Sequence, residues 1–225
     1  MISVLLLFWL GASLGSPELE KARNAQDRVA LERLSGQFSE AARKQPDDAV
    51  AQYRFALTES YVAEVAVEAG DKNQARAAAE AGMKAAERAV SLKGGTAEYH
   101  RLLGTLCGQA VSANLLAGLK YARCALDEVN KALQVDPKSS LNYVSRGVGN
   151  YYLPPALGGG VELAIKDFQK AIQLDAQSAD AHLWLGLALR KASRMGEARK
   201  EFQKSIALNP ARVWAKQQLD KTRAQ

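Results

Sequence analysis

Four times along this chain a position is answered, 22 residues later, by a small residue: Leu34 by Ala56, Gly82 by Gly104, Ala125 by Gly147 and Ala164 by Gly186, the first residue also being small in the last three. A constant interval through four joints marks stacked repeats, because a repeat must restore its small and large positions even where its letters drift. The stretch from Ala179 to Pro210 shows what one repeat holds. Leu185, Gly186 and Leu189 share a face of one helix, and Ala198, Phe202, Ser205 and Leu208 share a face of a second, which Pro210 ends. Small residues at Gly186 and Ala198 let the two helices approach closely, and Phe202 fills the space beside them.

That stretch resembles a tetratricopeptide repeat, matching its L-G…A-x3-F…P skeleton at Leu185, Gly186, Ala198, Phe202 and Pro210, with His182 in place of its Trp and Leu189 in place of its Tyr. Counterparts of Gly186 stand at Gly147, Gly104 and Ala56, those of Ala198 at Ala164, Ala125 and Gly82, and those of Ser205 at Ala171, Ala132 and Ala89. The resemblance implies an all-α, right-handed solenoid of about four such hairpins. They fall at residues 47–93, 95–136, 139–175 and 178–209, preceded by one N-terminal helix over 16–45 and followed by a capping helix over 211–223. By the 22-residue interval the N-terminal helix is of the second type and lacks a hairpin partner.

Within the hairpins the interval shrinks, from 26 to 21 to 17 to 12 between the two small positions. One edge of the stack is therefore stepped. The first repeat gains about seven residues in each helix, turning near Gly70 and Asp71, and the second turns near Ala117 and Gly118. The third spends its extra residues on the loop LPPALGGG, Leu153 to Gly160, where two prolines and three glycines forbid a helix.

Composition agrees with closely packed helices: 48% of residues are hydrophobic, only 7% are aromatic and Pro occurs six times. No run alternates at period two, which argues against a sandwich or barrel. Met1 to Leu14 is apolar but short for a bilayer, and small residues follow it, so residues 1–15 read as a secretory signal cleaved after Ser13 or Gly15. No Cys follows the run to carry a lipid anchor. The expected location is periplasmic or secreted, without stable membrane insertion after cleavage. Cys107 and Cys124 fall on the two helices of one hairpin; with the turn centred at Ala117 they lie at different heights, so two buried thiols are expected rather than a bridge.

Chemistry is not expected. His100 and His182 share one repeat position and read as packing residues, Gly158, Gly159 and Gly160 lack the Lys and Ser/Thr of a phosphate loop, and no metal-ligand spacing occurs. We therefore expect no catalytic residues, no cofactor and no metal. The concave face that the resemblance implies, carried over by register, includes Tyr53, Tyr61, Arg101, Gln109, Tyr151, Tyr152, Arg190 and Lys191. Aromatic and basic side chains mixed in this way suit a protein or peptide partner, an extended segment or helix with apolar anchors and an acidic group. Nucleic acid is not expected. Leu153, Pro154, Pro155, Gly158, Gly159 and Gly160 are expected to fold beside the taller hairpins as the rim of a cleft. From Arg190 onward there are 10 basic and 3 acidic residues, against 12 and 13 in residues 1–93. The function these features suggest is a non-catalytic interaction scaffold. The alternative is a periplasmic small-ligand binder, because the hairpin lengths and the Pro and Gly loop also bear a looser resemblance to the T component associated with tripartite ATP-independent periplasmic transporters.

Overall fold

The computed structural model describes residues 16–111 and 115–223. The signal reading over 1–15 lies outside these residues. Six of the helices open where the sequence supplies a side chain for the unpaired amides, whereas the helices that start at Ala97, Val161 and Met195 have no side-chain cap. Ser16, Asp27, Asp48, Asp71, Ser139 and Ser178 each accept from a backbone N–H two or three residues on.

The first of these caps starts α1 (Pro17–Ala25), and the second starts α2 (Arg28–Lys44). The single helix expected over 16–45 is thus two. Gln26 turns left-handed, its N–H reaching Ala22 O and Arg23 O, and Asp27 recaps the chain. The outer helix α2 therefore has an inner partner, α1, and the solenoid begins with a short hairpin.

The next hairpin pairs α3 (Ala49–Glu68) with α4 (Lys72–Leu92), 20 and 21 residues long. The last pairs α9 (Ala179–Lys191) with α10 (Met195–Leu208), 13 and 14 residues long, so each helix of the first repeat exceeds its late counterpart by the expected seven. Between them lie α5 (Ala97–Ala110) with α6 (Leu115–Val135), and α7 (Ser140–Tyr152) with α8 (Val161–Leu174). The extra length of the α5–α6 hairpin sits almost wholly in α6. Ala117 and Gly118, where the turn was expected, lie within α6. A capping helix, α11 (Val213–Arg223), ends the described chain. Among the described residues there is no strand.

The seams follow the ruler. Ala56, Ala164, Ala171, Ala181 and Ala198 have no exposed surface, and Phe168 and Phe202 are equally buried over Gly147 and Gly186. His100 and His182 are buried, each with Nδ1 2.6 Å from a carboxylate of the facing helix, Glu128 or Glu201.

Cys107 and Cys124 form a disulfide, with Cα atoms 5.9 Å apart, correcting the expectation of free thiols. The physical reason is the pairing level. A Cβ on Gly104 would meet Ala125 O at 3.0 Å and one on Gly108 would lie 4.0 Å from Ala125 Cβ, so α5 and α6 approach unusually closely and residues 107 and 124 stand at one height.

Candidate interaction surface

The inner helices α1, α3, α5, α7, α9 and α11 form the concave side, and the first of them touches the last. The contact is a buried charge cluster. Arg23 of α1 donates to Glu64 Oε2 and Oε1 at 2.9 and 2.7 Å and to Asp180 Oδ2, at the start of α9, at 2.8 Å. Arg212, fully buried just before α11, donates to Glu64 Oε1 at 2.7 Å, to both carboxylate oxygens of Glu68, and to the carbonyl of Arg23 at 3.3 Å. Gln26 adds a 2.7 Å bond to Glu68, and Asn209 a 3.2 Å bond to Asn24. The added turns of α3, which carry Glu64 and Glu68, are what reach the far end.

Two guanidinium groups face four carboxylates here, Glu64, Glu68, Asp180 and, 3.9 Å from Arg23, Glu20, two more than they match. Burial pushes the Glu68 carboxyl up, the neighbouring charge of Glu64 adds to it, and the result is about 7 despite Arg212. Glu64 is also penalised by burial, but Arg23 and Arg212 outweigh that and hold it below its ordinary value.

Of the concave residues expected to meet a partner, those of the first half are engaged within the chain. Tyr53 is buried, stacks on Tyr99 with ring centroids 5.2 Å apart, and donates to Glu98 Oε1 at 2.7 Å. Arg101 grips both oxygens of Glu98 at 2.6 Å and donates to Ser145 Oγ at 3.2 Å. Tyr61 donates to Glu20 and lies under the Arg23 guanidinium, 4.9 Å from its ring centre. Gln109 exchanges bonds with Ser60 at 3.0 and 3.2 Å. Carboxylates of the protein itself thus fill the place of an acidic partner: Glu98 from α5 and Glu20 from α1.

In the second half the expected residues come together on one surface. Tyr151 and Tyr152 meet edge to face at 5.0 Å, both lie edge-on to Trp184, and Trp184 meets Trp214 at 5.4 Å. Lys191 donates to Tyr151 O at 2.6 Å with its ammonium 4.4 Å from that ring's centre. Arg190 is tied to Gln218 and Thr222 and lies over Phe202. Tyr152 is 60% exposed, yet surrounding protein, then Tyr151, Glu64 and Glu68, push its hydroxyl up to about 12.

The loop after it holds a 3-10 turn, Pro155–Leu157, and is anchored where Gly160 N–H donates to Asn150 O at 2.9 Å. Pro154, Pro155 and Leu157 are exposed, and among the described residues no hydrogen bond ties the loop to α3 or α4. The charges of Glu64 and Glu68 on the tall α3 act on the Tyr152 hydroxyl just before the loop.

Arg23, Arg212, Trp184 and Trp214 were missed by sequence reasoning. None sits at a position carried over by register. The Asn-Ala-Gln-Asp run at 24–27, an Asp cap inside a helical pattern, was the available sign that α1 breaks and turns inward.

Residues 158–193 match the family model described as TPR repeat. This segment matches a tetratricopeptide repeat, and the fold is the all-α helical-repeat solenoid of such proteins. Among solved structures the chain is similar to TTC0263, a thermophilic TPR protein of Thermus thermophilus, at 18% identity over 92% of this chain and 100% of that one, with a TM-score of 0.64. Slighter likeness joins it to YrrB, described as a TPR protein with an unusual peptide-binding site (17% identity, 81% of this chain, 97% of that one, TM-score 0.44). Another such structure is the first TPR of Spaghetti (RPAP3), bound to the HSP90 peptide SRMEEVD (19%, 54% and 90%, TM-score 0.42). No curated protein matches the sequence. The TPR fold is one of protein–protein interaction scaffolds. The looser resemblance to a transporter T component finds no support in these matches.

Proposed function

We propose that this protein is a non-catalytic interaction scaffold of the cell envelope, or a secreted one, that binds a peptide segment or helix on the α7–α9 part of its concave face. The observation that carries this reading is Tyr152, 60% exposed on the concave side and continuous with Trp184 and with Tyr151, whose ring carries the Lys191 ammonium. Rigid aromatic anchors next to a cation suit an apolar side chain followed by a carboxylate. The Tyr53, Tyr61, Arg101 and Gln109 half contributes less, because its polar groups are already bonded to one another.

The oxidising location is supported by two features: the apolar run at Met1 to Leu14 and the Cys107–Cys124 bridge. N-terminal sequencing of protein from its native host tests export, and an intact Met1 would overturn it. For the surface, a photoreactive phenylalanine at position 152 should cross-link a partner in the native host, and a Lys191→Glu background should reduce that yield. Cross-linking at an outer position such as Leu126, with none at 152, would move the site off the concave face.

A further inference from the structure

In the repeat ruler the counterpart of Leu189, buried and apolar in the last hairpin, is Glu59 in the first tall one. A carboxylate has replaced a core residue. Glu59 is only 6% exposed. One oxygen accepts from the Ser35 hydroxyl, and among the described residues the other has no hydrogen-bond partner and the group forms no ion pair. Burial pushes this carboxyl up, and the Ser35 bond draws it partly back.

Above it lies a cleft of about 300 Å³ lined by Glu32 and Ser35 of α2, Glu59 and Val62 of α3, and Gln74 and Ala78 of α4. Small side chains on the two outer helices keep it open, and its polar groups are mainly acceptors. Gln74 Nε2 is spent on Glu32 and its Oε1 on Arg28. A buried carboxylate with one neutral donor costs stability unless it takes up a proton or a cation joins it. The apolar wall of Val62 and Ala78 suits a methylene stem behind that cation.

We propose that the α2–α3–α4 cleft binds a primary alkylammonium group, carried by a small amine or by a lysine side chain, with Glu59 as its counter-ion. The site is separate from the Tyr152 surface and does not depend on it. A small ammonium with an apolar stem donates to the open carboxylate oxygen, whereas the five N–H donors of a guanidinium fork would need more acceptors than that oxygen and Glu32 offer.

The test is a titration of the intact protein with n-butylammonium, followed by amide chemical shifts. Saturable shifts confined to α2, α3 and α4 are expected, and n-butanol, the uncharged shape, should bind at least about tenfold more weakly. Glu59→Gln should weaken n-butylammonium by a similar factor. Ala77→Leu, at the exposed mouth of the cleft on α4, should block entry with the carboxylate intact. Binding of Nα-acetyl-lysine N-methylamide as tight as that of n-butylammonium assigns the lysine source, and binding of the simple amine alone assigns the small-amine source. No saturable shift, equal binding of n-butanol, or unchanged affinity in folded Glu59→Gln would overturn the site. If Glu59→Gln does not fold, unchanged affinity in Ala77→Leu overturns it instead.

Discussion

Arg212 and Glu68 meet from opposite ends of the solenoid, 144 residues apart in the chain, with 1% of either side chain exposed. An open stack of hairpins would leave its first and last inner helices apart. Here the seven added residues of α3 carry Glu64 and Glu68 far enough to take Arg212, while Arg23 of α1 takes Asp180 of α9. The concave side is thereby closed at one level, and Tyr152 stands next to the closure.

Removing one partner of a buried pair strands the other, which is why Arg212→Met is expected to cost about 3–5 kcal/mol. Both Glu64 and Glu68 would lose their shared guanidinium. Urea unfolding measures the loss. A cost below about 1 kcal/mol, the range of an exposed pair, would show that the ends are not held together by this cluster in solution.

Because Glu68 titrates at about 7 rather than its ordinary 4.5, the folded protein holds a proton that the unfolded chain releases across that window. Stability therefore falls as pH rises from 4.5 to 7 and levels off above, by at most roughly 3 kcal/mol. Glu64, held below its ordinary value, acts oppositely: its contribution is present above the ordinary carboxylate pKa and is lost as pH falls through the lowered one. Urea midpoints at pH 5 and pH 8 should differ in favour of pH 5, and Glu68→Gln should remove most of the difference. A higher midpoint at pH 8 in the wild type would contradict the assignment.

The hairpins were legible because Gly147, Gly186, Ala164 and Ala198 repeat a steric requirement, and steric requirements survive when letters change. The stepped edge was legible for the same reason, since intervals between such residues count helix turns. Closure was not legible. It depends on a small rotation at each joint summed over the stack, and Arg23 and Arg212 show no periodicity to betray their meeting. Tyr151, Tyr152, Arg190 and Lys191 could be grouped by register, whereas Tyr53 and Arg101 could not be seen to be taken up by Glu98, one turn of α5 away from Arg101. The disulfide was missed because helix separation was taken as typical where glycines at 104 and 108 make it less.

Two glycines give opposite outcomes when replaced by Ala. A Cβ on Gly186 would stand 2.6 Å from the buried ring of Phe202, which has no room to move, so Gly186→Ala should cost about 1–3 kcal/mol by overpacking. Gly149, within α7, has nothing within 4 Å of that position, so Gly149→Ala should stabilise by up to about 1 kcal/mol through helix propensity alone. Thermal melting of the two variants side by side decides it, and a Gly186→Ala protein as stable as wild type would mean the α9–α10 seam is looser than described.

A covalent staple joins the two helices of the α5–α6 hairpin. Cys107 is buried against the core that spans α1 to α5, and its bond to Cys124 closes a loop with a sequence separation of 17. A cross-link of that span limits the unfolded chain by about 3 kcal/mol, so reduction should lower stability by that order with little change in the folded helices. Dithiothreitol treatment and the Cys107→Ser, Cys124→Ser double variant should shift the urea midpoint alike, while circular dichroism at low urea stays unchanged. Comparing the two treatments separates cross-link from packing. If reduction shifts the midpoint but the double variant shifts it much further, lost packing at residue 107 adds to the lost cross-link; if reduction shifts nothing, the two sulfurs are thiols in solution and the hairpin is held by the close approach at residues 104 and 125 alone.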